Sequence, residues 1–478
     1  MRASLGSRVA RAYSGAVATE ALDSTGSPSS LRTAVDRDAV GALVLAATIP
    51  FLFFHERFQP ELTISAGSTA VDVRMSDLAL LLVLGAAVVA AARVGVAVLA
   101  PSWALWVAGG ALLAWLGFQL ARSFVLDDDR FGDHLVSYAK LVEYALLAVC
   151  VPLLVRRRKD LALVTGAVIL WSLVASAVAV VQLLGFDVFA VTTSGWRYSS
   201  FLGRHDLAAL SALAASFGAA GILAGRGELA TPRLHSLSLI AGALGLVLAG
   251  SVAAAGGFAI GAAGLWVAGR RRFGPSRRQV AGLAALVAAV AVGVTFARSE
   301  ALEDFVRFLG LGPDESAQGV ESYSQRTVLA YIGLRIAQDN PVLGVGWLRS
   351  SSPEVFEPYV PDARERFADV ADLAFPAEGR EWGVQNLYIQ MLADAGAVGL
   401  ALLLVVGAIG LVLAGRAAAR APTPWAAGAG LVTVCALLTL GAEWASLGIV
   451  PGIPLQAATS LLLGLAAAGV AAVPDGDG

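Results

Sequence analysis

The feature that most constrains this chain is a succession of apolar blocks, each about as long as a helix must be to cross a bilayer, roughly 20 residues. They fall at roughly 38–54, 77–99, 102–121, 136–155, 160–184, 205–224, 235–252, 254–269, 279–297, 386–414, 423–442 and 455–473. Inside hydrocarbon, backbone N–H and C=O groups must bond within their own segment, so blocks of this length read as helices. The expected fold class is therefore all-α, a polytopic membrane helical bundle of about twelve transmembrane helices. The chain is 57% hydrophobic and 15% charged, whereas a soluble domain carries roughly 25% charge.

Charge sets the expected orientation. Arginines before the first block (Arg2, Arg8, Arg11, Arg32, Arg37) share a side with Arg156, Arg157, Arg158 and Lys159, with Arg226 and Arg233, with Arg270, Arg271, Arg272, Arg277 and Arg278, and with Arg416 and Arg420, if the helices alternate. The positive-inside rule makes that side cytoplasmic and puts both termini there. Residues 1–37, rich in Ser, Thr, Gly and Arg, read as a disordered cytoplasmic tail. Residues 38–297 then hold helices 1–9, and residues 386–473 hold helices 10–12 before a short tail at 474–478. The net charge of −2 gives no reason to expect nucleic-acid binding, and Cys150 and Cys435, both inside apolar blocks, form no disulfide or metal-binding pattern.

Residues 298–385 break the rhythm. They are polar, fall on the extracytoplasmic side, and hold fifteen acidic residues against eight arginines. Long loops of this kind are usually functional. From Ser324 to Gln338, Val328, Tyr331, Ile332 and Ile336 share one helical face. The segment thus reads as a large helical loop between helices 9 and 10, capping the outer mouth. Asn340-Pro341 stops that helix, and Gly344 and Gly346 allow a tight turn after it.

Polar residues gather at the outer helix ends: Gln119, Arg122, Lys140, Glu143, Gln182, Arg197, Arg204, His205, Asp206 and Glu443. Charge at membrane depth costs roughly 2.5–3.5 kcal/mol on insertion scales, so such a gathering points to a shared polar chamber. Lys140 and Glu143, three apart, also read as a structural pair. Gly396 and Gly399 read as close helix contacts. Arg197 and Arg204 place planar guanidiniums, which match phosphate oxygens, at a helix entry; lipid head-group anchoring is the plainer reading of the same pair.

In order along the chain, Arg197 with Phe201, then Arg326 with Asp339-Asn340-Pro341-Val342-Leu343-Gly344-Val345-Gly346, then Asn386 ahead of Gly396 and Gly399, resemble the bacterial O-antigen ligase and O-antigen polymerase family of lipid-linked glycan transferases. The likeness runs from about Trp196 to Leu400. It departs where the family histidine is Gln385, where the family's Asn-Pro-Asn reads Arg204-His205-Asp206, and where Ser251 stands without its arginine. The resemblance implies transfer of a glycan from an undecaprenyl diphosphate carrier to a hydroxyl of a glycan, lipid or protein acceptor, outside the bacterial plasma membrane, with no cofactor and no metal. It implies catalytic roles for Arg197, Arg326, Gln385 and Asn386, and substrate-binding roles for Arg204, His205, Asp206, Lys140, Gly344 and Gly346. Besides donor and acceptor, the surrounding membrane lipid is the expected partner. Ligase and polymerase chemistry stay open, as does a multi-pass transporter or flippase, although no internal repeat of the kind such folds carry is evident.

Overall fold

A computed structural model of the chain describes residues 40–66, 69–125, 130–189, 197–224, 232–299, 303, 322–380, 383–449 and 451–471. The expected tails at 1–37 and 474–478, together with Trp196, Arg226 and Glu381, lie outside the described residues.

The protein is an all-α integral membrane protein. Its apolar helices before the polar segment are α1 (Val40–Leu52), α2 (Met75–Val94), α3 (Trp103–Val125), α4 (Phe131–Leu154), α5 (Arg158–Leu183), α6 (Arg204–Ala224), α7 (Pro232–Ala249), α8 (Val252–Phe273) and α9 (Arg277–Ala297). After the polar segment, whose helices are α10 (Ser322–Asp339), α11 (Pro353–Phe356) and α12 (Val360–Arg366), come α13 (Leu387–Arg420), α14 (Pro424–Glu443) and α15 (Pro454–Ala471). Among the described residues, 10 helices are long and apolar enough to cross a membrane; α1 and α7 fill the first and seventh expected positions but are shorter. At 1.5 Å per residue, the 13 residues of α1 cover only about 20 Å, against a hydrocarbon core of roughly 30 Å.

Small residues decide which helices lie at the centre. α6 is built almost wholly of Ala, Leu, Gly and Ser, and 89% of its spanning window is buried; the figures for α14 and α15 are 78% and 72%, against 17% for α9. A helix apolar on every face has no preferred outward side and is enclosed by its neighbours. Glycines set the spacing. A Cβ at Gly257 would fall 2.7 Å from the Thr439 carbonyl oxygen, and one at Gly261 would strike the Cys435 carbonyl, so α8 lies backbone-close to α14. Outward faces carry Leu81, Leu82, Val107 and Val292, exposed as lipid-facing side chains must be.

One element was not foreseen. Between α1 and α2 stands an antiparallel hairpin, β1 (Glu61–Ala66) and β2 (Thr69–Arg74), with Glu61 opposite Arg74 and Ala66 opposite Thr69.

α10 buries the predicted face. Val328, Ile332 and Ile336 are at most 2% exposed and pack with Phe356, Ala363 and Phe375 into a small core of their own, which Ala393 of α13 closes. Tyr331 and Arg335 both reach Asp362, at 2.9 and 3.0 Å. This cap has its own stability: Ile336→Ala should cost about 2–5 kcal/mol locally. Limited proteolysis in detergent should then cut within 322–380 faster than in the parent while the bundle stays intact. Equal cutting rates would show that the cap does not depend on this core.

Candidate active site

The chain between α5 and α6 is held from three sides. Tyr198 N–H donates to the Leu248 carbonyl at 2.9 Å, stitching the segment to the end of α7. Gln182 accepts from Ser200 N–H at 2.9 Å and donates to the Ser200 carbonyl at 3.2 Å. Phe201, 3% exposed, sits among Phe54, Trp171 and Phe189. An aromatic anchor and a two-handed amide thus fix where Arg197 and His205 leave the backbone.

Arg197 is 4% exposed, with Nε directed at the Ala249 carbonyl at 3.4 Å. Gly250 (φ +58°) lies beneath it. A Cβ there would meet Arg197 Cγ at 3.0 Å and Arg298 Cδ at 3.3 Å, so these two arginines lie side by side over a residue that only glycine suits. Arg298, from the end of α9, also bears electrostatically on Arg204. The sequence shows no arginine beside Ser251; the bundle brings Arg298 there from 47 residues downstream.

His205 opens α6 and meets two partners. Its Nδ1 lies 2.7 Å from Oε1 of Glu443, the last residue of α14, and Glu443 Oε2 accepts from Ser251 Oγ at 2.7 Å. Glu443 is wholly buried. On the far side of the ring, Arg326 Nη2 lies 3.3 Å from Nε2, and the same guanidinium donates from Nε to Gln385 Oε1 at 2.9 Å. The charges of Arg326 and Arg197 both act on the His205 ring. Arg326 thus contacts the imidazole, and Arg197, 129 residues earlier in the sequence, bears on it through its charge.

The other candidate residues make structural contacts of their own. Asp206 is buried and accepts from Leu455 N–H at 3.0 Å, tying α6 to α15. Lys140 pairs with Asp77 at 3.1 Å, where its expected partner was Glu143. Asn386 caps α13: its Oδ1 accepts from Tyr388 and Ile389 N–H at 3.1 Å each, and its Nδ2 donates to the Ala445 carbonyl at 2.9 Å. Both ends of the amide are therefore engaged.

Gly344 (φ +67°) and Gly346 (φ +118°) form the tight turn, and it docks on a break in α13. There Gly396 has φ +68°. It breaks the helix and takes the backbone of the turn against it, whereas Gly399 packs against Trp115 of α3. Val345 N–H donates to Ala393 O and Gly346 N–H to Asp394 O, both at 2.9 Å, Trp115 Nε1 to Ala395 O at 3.0 Å, and Ala397 N–H to Pro341 O at 2.8 Å. Backbone groups freed by a break at membrane depth need such partners. Gln119 and Arg122 also bond here, to the Leu343 carbonyl at 2.5 and 3.3 Å. The polar residues at this end therefore divide into a clamp that fixes the cap and a cluster around His205.

Two members of the surroundings were not singled out from sequence. Glu443 was noted only as a polar helix end. His55, from the loop after α1, donates its backbone N–H to the Phe201 carbonyl at 3.1 Å, and a Cβ at Gly203 would lie 3.2 Å from its ring. Burial lowers the His55 pKa below the ordinary imidazole value, with Glu56 opposing.

Residues 237–404 match the family model described as O-antigen ligase. That stretch holds Arg326 and Gln385, whereas Arg197, His205 and Glu443 lie outside it. No curated protein matches the chain.

Proposed function

We propose, because residues 237–404 match the O-antigen ligase family model, that this chain transfers a glycan from a polyprenyl diphosphate carrier to an acceptor hydroxyl at the outer membrane face. The observation that carries this reading is Arg326 held between Gln385 and His205, with the charge of Arg197 bearing on the same ring. In such a transfer the acceptor oxygen attacks the anomeric carbon, the bond from that carbon to the phosphate oxygen breaks, and the electron pair leaves with the carrier diphosphate. Charge grows on the diphosphate as the bond breaks, so fixed donors aimed there lower the barrier. Arg197 and Arg326 supply those donors, with Arg204 and Arg298 at the margin. Gln385 keeps the Arg326 fork oriented.

The position suits a lipid-borne donor. The cluster lies where α6 and α8 begin and α14 ends, at one end of the bundle. Arg156 to Lys159, Arg270 to Arg272 and Arg416 to Arg420 mark the opposite end, where Arg272 donates to the Ala421 carbonyl at 2.7 Å. The positive-inside rule then directs the cluster away from the cytoplasm.

Native membrane vesicles hold both donor and acceptor and test the reading. Vesicles from a deletion strain expressing the parent should convert lipid-linked glycan to free polyprenyl diphosphate and acceptor-bound glycan. Arg197→Ala should lower that conversion about 10²–10³-fold. A carrier that only moves across the bilayer, with its glycan still attached, would identify a flippase and overturn the proposal.

A further inference from the structure

The geometry points to His205 as the general base of the transfer, positioned by Glu443 and held in reserve by Arg326 until the donor arrives; this rests on the transferase reading above. A glutamine cannot take up a proton, so Gln385 cannot activate an acceptor hydroxyl. The ring that shares the Arg326 guanidinium with Gln385 can.

The hydrogen-bond pattern fixes the ring's state. A guanidinium can only donate, so Nε2, beside Arg326 Nη2, accepts and Nδ1 carries the ring hydrogen. One Glu443 oxygen takes the Ser251 hydroxyl and the other takes His205 Nδ1–H, at 2.7 Å each. Nε2 of the neutral ring therefore carries the lone pair, turned toward the guanidinium. A base oriented by a third group in this way is the arrangement that activates a hydroxyl nucleophile. Nε2 is engaged by Arg326 Nη2 at 3.3 Å, the same guanidinium that would grip a diphosphate. When the donor takes that guanidinium, the lone pair is released beside the reacting carbon.

The step balances. The acceptor O–H proton passes to His205 Nε2 as the acceptor oxygen bonds to the anomeric carbon. The carbon–oxygen bond to phosphate breaks, and its electron pair leaves on the diphosphate. Glu443 keeps its hydrogen bond to Nδ1 of the imidazolium that forms, which returns its proton to solvent or to the departing diphosphate.

The test uses the full-length protein in native membrane vesicles, with binding of undecaprenyl diphosphate to the purified protein read as a thermal shift. His205→Asn keeps an N–H for Glu443 but has no base. Transfer should fall about 10²–10⁴-fold, with the carrier-induced shift retained. In His205→Ala vesicles, added imidazole should restore part of the transfer, and imidazoles of higher basicity should restore more. Glu443→Gln, a change at a positioning residue, should lower kcat with KM for the lipid-linked donor little changed. Transfer in His205→Asn within threefold of the parent would overturn the base assignment while leaving the transferase reading standing, provided the Arg197 variant is inactive. Loss of carrier binding in His205→Asn, or loss of transfer without rescue by any imidazole, would make His205 structural and overturn it equally. If the arginine and histidine variants all transfer normally, the residue assignments fall, whereas the transferase reading itself falls if the parent protein transfers no glycan.

Discussion

Arg326→Ala should abolish glycan transfer while the protein inserts and melts like the parent. Arg326 lies in the second turn of α10, and another face of that helix buries Val328, Ile332 and Ile336 in the cap core, so removing the guanidinium leaves the cap's packing untouched. What is lost is a single planar group whose contacts include Nε to Gln385 and Nη2 to His205. If the same fork grips the leaving diphosphate, its removal should cost about 10²–10³-fold in turnover, as for other preorganised donors to a developing anion. Arg326→Lys separates charge from shape. An ammonium is a point charge that cannot span both partners, so it should recover only part of the activity. The measurement is conversion of lipid-linked glycan in vesicles, alongside a melting curve in detergent. Alanine and lysine variants both within threefold of the parent would remove Arg326 from the reaction. A lysine variant equal to the parent would show that charge alone suffices and that the fork contributes nothing.

The sequence reading foretold those parts of the structure that a single segment decides. A block of about 20 apolar residues has no alternative to a helix in lipid, which is why the helix positions could be placed. α10 was legible for the same reason: three aliphatic residues on one face and a terminal Asn340-Pro341 require no knowledge of a partner. The positive φ at Gly344 and Gly346 likewise follows from local chain geometry.

What escaped was neighbourhood. Sequence places a polar residue at a helix end but not beside a given helix, so Lys140 was matched with Glu143 on its own helix when the bundle offers Asp77 of α2. His205 and Glu443 stand 238 residues apart, and only the packing of α6 against α14 makes them a pair. Arg298 reaches the Arg197 cluster by the same route. Asn386 matches the family pattern ahead of Gly396 and Gly399, and what the sequence did not show is that its extended backbone just before Leu387 makes it the cap of α13. The hairpin of β1 and β2 fell between two strong apolar blocks, where a short alternation is easily overlooked.

Gly396→Ala should disable the protein as thoroughly as the loss of a charged site residue, although Gly396 touches no reacting group in the proposed scheme. Two costs combine. Its φ of +68° lies in the left-handed region, where a side chain costs about 1–3 kcal/mol. Its Cβ would also fall on the Val342 carbonyl, in the turn that docks the cap to α13. That carbonyl belongs to backbone and cannot swing aside, so the turn must lift, taking with it the bonds from Val345 to Ala393, Gly346 to Asp394 and Ala397 to Pro341. α10 is tethered through this turn, so Arg326 would lose its register against Gln385 and His205. Gly407→Ala is the control. It lies on the same helix with nothing within 4 Å of its would-be Cβ, and alanine in a helix interior gains up to about 1 kcal/mol over glycine. The Gly396 variant should melt lower, lose its cap to protease faster and transfer little or no glycan, whereas the Gly407 variant should match or slightly exceed the parent in all three. If the two variants behave alike, the broken helix does not set the position of Arg326, and the clamp is separable from the chemistry it holds in place.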